Sequence, residues 1–130
     1  MTGQYQRTYG KTINPFVCRK PDSDTILLGG QGDDLNRWTR LLTNRASRLL
    51  WFHLGSVLHP DLFREKTPGL GTLPIRSARL PTITSDLILD QTAQGEYEII
   101  GRGGGSQWSA RFNPDTARQL WNALDDLLSE

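Results

Sequence analysis

Residues 33–58, DDLNRWTRLLTNRASRLLWFHLGSVL, carry the densest apolar pattern in this chain, with arginines and no acid after Asp34. Leu35, Trp38, Leu41, Leu42, Ala46, Leu49, Leu50 and His53 recur at three- and four-residue steps, which lines them along one face of an α-helix. A stripe of this width must be covered by a second layer, so it constrains the rest of the chain. The spacing predicts a helix from a cap at Asp33 or Asp34, whose carboxylates can accept from the free first-turn N–H groups. Gly55 and Pro60 limit its far end. Arg37, Arg40, Asn44 and Arg48 form a second stripe, with Arg45 between the two. Trp51 and Phe52 fall outside the main stripe, so the helix end is expected to be buried on more than one side.

Before this helix, Gln4–Tyr9 alternates, with Tyr5, Arg7 and Tyr9 on one side, as in an edge strand. Phe16–Lys20 and Thr25–Leu28 are short β-type runs around the turn cluster Pro21-Asp22-Ser23-Asp24. Gly29, Gly30 and Gly32 are expected to end the second run. After the helix, Pro60, Pro68, Pro74 and Pro81 with Gly69 and Gly71 disallow a long regular element between His59 and Pro81. Its apolar residues suit an extended crossover that tucks in single side chains, and a connection this long is a candidate functional loop.

Asp86–Gln91, Tyr97–Gly101 and Gln107–Phe112 read as three strands joined by turns at Thr92–Gly95 and Arg102–Ser106. Asn113 is a good N-cap, and Pro114 sits at the first helical position, where a missing N–H is harmless. Ala117, Leu120, Trp121, Leu124, Leu127 and Leu128 continue as an amphipathic stripe. The expected fold is one α+β domain over residues 1–130, ββ(β)α–βββα, with helices packed on sheet. Its halves, about 1–58 and 82–130, are joined by the crossover 59–81. TILLGGQGDDLNRWTRLL lies over WSARFNPDTARQLWNALDDLL as strand, turn, cap and helix, the pattern of an internal duplication.

This layout resembles the Whirly-type single-stranded DNA-binding architecture, and more loosely a cyanobacterial domain of unknown function built the same way. The residues matching the second are Arg7-Thr8-Tyr9, Ile26-Leu27-Leu28-Gly29-Gly30 with the leucine-rich helix after it, His53–Leu58 and Ala117–Leu128. The likeness covers most of the chain as layout and includes no catalytic motif. The chain has no Lys-Gly-Asn-Lys-like run of the Whirly kind. Cyanobacterial origin and a photosynthetic context are implied by the resemblance alone.

At 130 residues and a formal charge of +1, the composition is that of an ordinary globular domain. Charge is uneven, +3 over residues 1–65 and −2 over residues 66–130, and most of the excess sits in the predicted first helix. Cys18 is the only cysteine, which rules out an intrachain disulfide and a cysteine-based zinc site. The N-terminus lacks the apolar core of a secretory signal and no apolar run approaches membrane-spanning length, so the cytoplasm is the expected compartment.

Gly101–Ser106, GRGGGS, offers backbone N–H groups that suit a phosphate, with Arg102 adding charge. Phosphate loops run from a strand into a helix, whereas a strand follows here, so a hairpin turn is the reading taken. His53, His59 and Asp61 lack the spacing of a helical zinc site. No nucleophile–histidine–acid spacing can be assigned. Cys18, beside Arg19 and Lys20, reads as a small strand residue. No catalytic residue, metal or cofactor is therefore assigned.

The arginines remain, with the aromatic end of the helix. Arg37, Arg40, Arg45, Arg48, Trp51, Phe52, Phe63 and Arg64 are the candidate partner-binding residues. The function expected is a non-enzymatic adaptor or assembly factor that binds another protein or complex. The alternative is single-stranded nucleic-acid binding by a sheet face and the arginines, with Tyr5, Tyr9 and Tyr97 for base stacking. Leu49–Phe63 also has an interfacial composition, so peripheral membrane association stays open, as does a homodimer.

Overall fold

The computed structural model describes residues 5–20, 25–63, 83–103 and 105–129. Its class is α+β with helices packed on sheets. The elements run β1 (Tyr5–Lys11), β2 (Ile13–Arg19), β3 (Ile26–Gln31), β4 (Arg37–Leu42), α1 (Asn44–Leu58), α2 (Pro60–Phe63), β5 (Asp86–Gln91), β6 (Tyr97–Gly103), β7 (Ser106–Phe112) and α3 (Pro114–Leu128). The turn at Pro21–Asp24 and most of the expected crossover, including Pro68, Pro74 and Pro81, lie outside the described residues.

The predicted first helix is two elements. Arg37–Leu42 is a strand, antiparallel to β3, and only Asn44–Leu58 is helical. Asp33 and Asp34 do not cap it; they sit in the β3–β4 hairpin, and Thr43 is the N-cap, its hydroxyl accepting from the Ala46 N–H at 3.1 Å. RWTRLL satisfies both periods: Trp38 and Leu42 meet a helical spacing and are also two strand steps of two apart. Pairing decides between them, because β3 gains a full ladder from Ile26↔Leu42 to Gln31↔Arg37. Gly29 and Gly30 accordingly lie inside β3 and do not terminate it.

Two sheets result. One has the order β1-β7-β6-β5 and the other β2-β3-β4. The first strand leaves its neighbours and joins the second half's sheet, running parallel to β7 with Arg7 opposite Trp108. The helices cross over as well. α1 packs mainly on β5, α3 mainly on β2, and the two helices pack on each other. One buried cluster therefore serves both halves, with Leu28, Trp38 and Leu42 from one sheet, Ile99, Trp108 and Phe112 from the other, and Leu50, Leu54, Leu120 and Leu124 from the helices.

The second helix starts as its sequence requires, with the Asn113 side chain accepting from Thr116 N–H at 2.8 Å and Pro114 in the first turn. Both long helices have 15 residues, Asn44–Leu58 and Pro114–Leu128, so adding 70 to a residue number in β4–α1 gives its counterpart in β7–α3. On this correspondence Trp38 matches Trp108, Thr43 matches Asn113 as N-cap, and Leu50, Trp51 and Leu54 match Leu120, Trp121 and Leu124. The tryptophan matching Trp38 is thus the strand residue Trp108. An overlay that sets the Trp38 segment on the α3 helix is displaced by one element.

A reciprocal clasp closes the two sheets on each other. Thr12, just before β2, donates its N–H to Arg111 O at 2.8 Å, and Thr84, just before β5, donates to Leu41 O at 2.8 Å. The same two threonine hydroxyls accept the tryptophan indoles, Trp38 Nε1 at 3.2 Å and Trp108 Nε1 at 2.7 Å. Both threonines and both indoles are buried. Replacing Thr84 with Val keeps the shape but strands a buried indole N–H, so it is expected to lower stability by about 1–3 kcal/mol. Urea unfolding of T84V and T12V measures it, and two losses of similar size are expected.

Candidate functional site

The arginines do not form one stripe. Arg37 and Arg40 are on β4, while Arg45 and Arg48 are on the first two turns of α1. Along β4, Trp38, Arg40 and Leu42 share the face towards the core, and Arg37, Thr39 and Leu41 the other. Arg40 is half-buried. Its Nε donates to the Tyr9 hydroxyl at 2.7 Å, and its Cζ lies 5.7 Å from the centre of the Tyr9 ring. Tyr9 in turn stacks on Trp38 with ring centroids 4.4 Å apart and planes within 5°. Trp38 leans on Trp108 at 5.4 Å, so the stack runs from the β1 edge into the core. Arg7, on the same face of β1 as Tyr9, brings a second guanidinium over the ring, its Cζ 5.4 Å from the centre.

Beside this stack a cleft of about 140 Å³ opens between β1 and the β3–β4 hairpin. Its lining comes from Arg7, Thr8 and Tyr9 on one side and Asp33, Asp34, Asn36, Arg37 and Trp38 on the other. The hairpin is clamped to β1 through Asp33. The Asp33 N–H donates to Tyr9 O at 3.1 Å, and its Oδ1 accepts from the Lys11 N–H at 2.8 Å. Gly10, at φ +75°, makes this approach feasible, because a Cβ there would enter the Asp33 carboxylate. Asp33 Oδ2 lies 4.0 Å from an Arg111 nitrogen. Both Asp34 oxygens accept from Asn36, one from the backbone N–H and one from the side-chain amide, each at 3.0 Å. These bonds, the backbone one first, hold the Asp34 pKa below the ordinary carboxylate value. Between the two lies Leu35, left-handed at φ +62° and 69% exposed. An apolar residue in that conformation is an outlier, and such outliers gather at functional sites.

The side chains of Arg37, Arg45 and Arg48 make no hydrogen bond or ion pair with a described residue. Arg37 is exposed, and Arg45 and Arg48 are half-buried on α1. The aromatic candidates do something different. Phe63 is only 4% exposed and meets Trp51 edge-on at 4.8 Å and Phe52 at 5.8 Å. The Trp51 indole donates to Asp125 at 3.0 Å, and the Trp121 indole donates to Trp51 O at 3.1 Å. Trp51, Phe52 and Phe63 thus fill the place where α1, α2 and α3 meet. Arg64 lies outside the described residues.

Tyr97 packs against the core, and Tyr9 is committed to Trp38; the Tyr5 side chain lies outside the described set. The glycine run between β6 and β7 is a hairpin in which Gly103 pairs with Ser106. His59 lies against Trp121, with ring centroids 4.5 Å apart. Sequence reasoning missed the cleft residues Asp33, Asp34 and Asn36. Reading DDLN as a hairpin turn between two strands would have found them, since Asp and Asn are turn residues. No protein family, curated protein or solved structure matches this chain.

His53 sits half-buried on α1, beside Asp86. Burial lowers its pKa below 6.5, and the Asp86 carboxylate partly opposes the shift. Below about pH 6.5 the unfolded chain takes up a proton that the folded histidine resists, so stability is expected to fall as the pH drops from that point towards the folded-state pKa. Urea midpoints compared on the two sides of pH 6.5 test this. His53→Gln should flatten the difference.

Proposed function

We propose that this chain is a non-enzymatic adaptor that binds an acidic region of another protein through the arginines of its first half. One observation carries the reading. At the positions 70 residues on, Arg37, Arg40 and Arg45 correspond to Gln107, Ala110 and Asp115. At those three positions the fold does without an arginine, whereas Arg48 corresponds to Arg118. Arg45 even opposes its own helix. It lies in the first turn of α1, where the exposed N–H groups already carry positive partial charge, and no acid accompanies it. Its counterpart Asp115 has the favourable sign and pairs with Arg118 at 2.8 Å. A cation placed where it lowers stability is explained by a partner that needs it.

The matched caps, tryptophans and threonine clasp also support descent of the two halves from one duplicated unit. Under that reading the second half is an internal control for what the architecture requires. The nucleic-acid alternative is less well supported. Of its stacking aromatics, Tyr9 and Tyr97 are used within the fold. Asp33 and Asp34 cancel the formal charge of Arg7 and Arg37 there, so the cleft lacks the net positive charge that counterion release from a phosphate backbone requires. No helix among the described residues is long and apolar enough to cross a membrane. A cytoplasmic location is part of the proposal.

Arg45→Glu is expected to raise stability by about 0.3–1 kcal/mol, because it reverses the unfavourable helix-end charge. The same change, combined with Arg48→Glu, is expected to abolish recovery of a stoichiometric partner in a native pull-down. Undiminished recovery by the double variant would refute the reading. Salt-sensitive binding of a mixed-sequence oligonucleotide, weakened by the same variant, would favour the alternative.

A further inference from the structure

We propose that the cleft between β1 and the β3–β4 hairpin is an anchor pocket for one acidic side chain, Asp or Glu, presented by the partner; this rests on the protein-binding reading above. Size is the first reason. Small-molecule sites usually enclose about 300–1,000 Å³. The cleft's 140 Å³ suits a single side chain.

Charge is the second reason. The cleft holds two arginines and two aspartates, so its formal charge cancels, but the two signs are not equally available. The Asp33 oxygens are engaged by the Lys11 N–H and Arg111, and the Asp34 oxygens by Asn36. Arg37, on the same wall, is exposed and engages no described residue by hydrogen bond or ion pair. An entering ligand therefore meets a planar guanidinium with unused donors, whose fork matches a carboxylate in bidentate geometry. Arg7 adds positive potential from the opposite wall.

The walls supply the third reason. Trp38 is 6% exposed and Tyr9 is half-buried, and their stacked rings make an apolar wall where the two sides of the cleft meet. A charge pair formed against such a wall is screened less than one in open water. The methylenes of a glutamate have a surface to lie on. The corresponding hairpin of the second half pairs directly from Gly103 to Ser106 and has Gln107 in place of Arg37.

The test uses the full chain and two blocked amino acids, N-acetyl-glutamate α-amide and its neutral isostere N-acetyl-glutamine amide. NMR shifts of the Trp38 indole N–H and the Asn36 and Arg37 amides are followed at rising probe concentration. The glutamate probe should produce saturable shifts and the glutamine probe none. Arg37→Gln should weaken the glutamate response at least about tenfold, the scale of one lost charge-assisted contact. Glutamine is already the residue at the equivalent strand position, so this variant is expected to keep its fold, which the rest of the spectrum reports. Equal shifts from the two probes, or an unweakened response in R37Q, would overturn the pocket. A partner kept by R37Q but lost by R45E/R48E would overturn the pocket and leave the adaptor reading intact. A glutamate response without any recoverable partner would remove the adaptor reading and leave the pocket.

Discussion

Two short sheets in a chain of this size can share one core only if something fixes their mutual position. Thr12 and Thr84 do so, each with two groups. The backbone N–H of each threonine bonds a carbonyl on the last strand of the opposite half, while its hydroxyl receives the indole N–H of the tryptophan in its own half. Both indoles are buried, so an unmet N–H would carry a desolvation penalty. The bond that relieves it also sets the depth of each ring. Tyr9 then stacks on Trp38 and closes the core at the β1 edge.

The exchange of helices follows from this arrangement. With the sheets clasped, α1 packs mainly on β5 in the other half, and α3 mainly on β2. Each half therefore completes the core of the other. The junction of α1, α2 and α3 shows the same economy, since the Trp121 indole donates to the Trp51 carbonyl, the Trp51 indole to Asp125, and Phe63 packs edge-on against both rings. Aromatics gathered at a helix end can look like an exposed binding surface; here they are mostly internal.

Against that background the basic residues stand apart. Arg37, Arg40 and Arg45 have Gln107, Ala110 and Asp115 as counterparts in the second half, so at those three positions neither the strand ladder nor the helix cap demands an arginine. One of them sits where the helix field disfavours it. Only Arg40 has an evident structural duty, through the Tyr9 hydroxyl. The cleft next to it follows the same logic, because its carboxylates hold the hairpin on β1 while Arg37 holds nothing described.

The class of the fold, the strands β5 to β7, and the start of α3 were legible in the amino-acid order. Local chemistry decides them: two-residue alternation in Gln107–Phe112, and an asparagine followed by proline at 113–114. Asp33–Leu58 was not legible in the same way. RWTRLL fits a helical stripe as well as a strand, and its true boundary, Thr43, has no proline after it to announce the cap. Only pairing with β3 resolves that ambiguity, and pairing is a property of residues distant in sequence. The cleft inherits the same limit. Its residues come from two segments more than twenty positions apart, and the Tyr9–Trp38 contact that joins them exists only after β1 has crossed to the other sheet. The sequence by itself determined which residues are apolar, basic or turn-forming; tertiary structure decided that Arg37 is left exposed while Arg40 braces a ring, because only strand pairing sets which face of β4 each one takes.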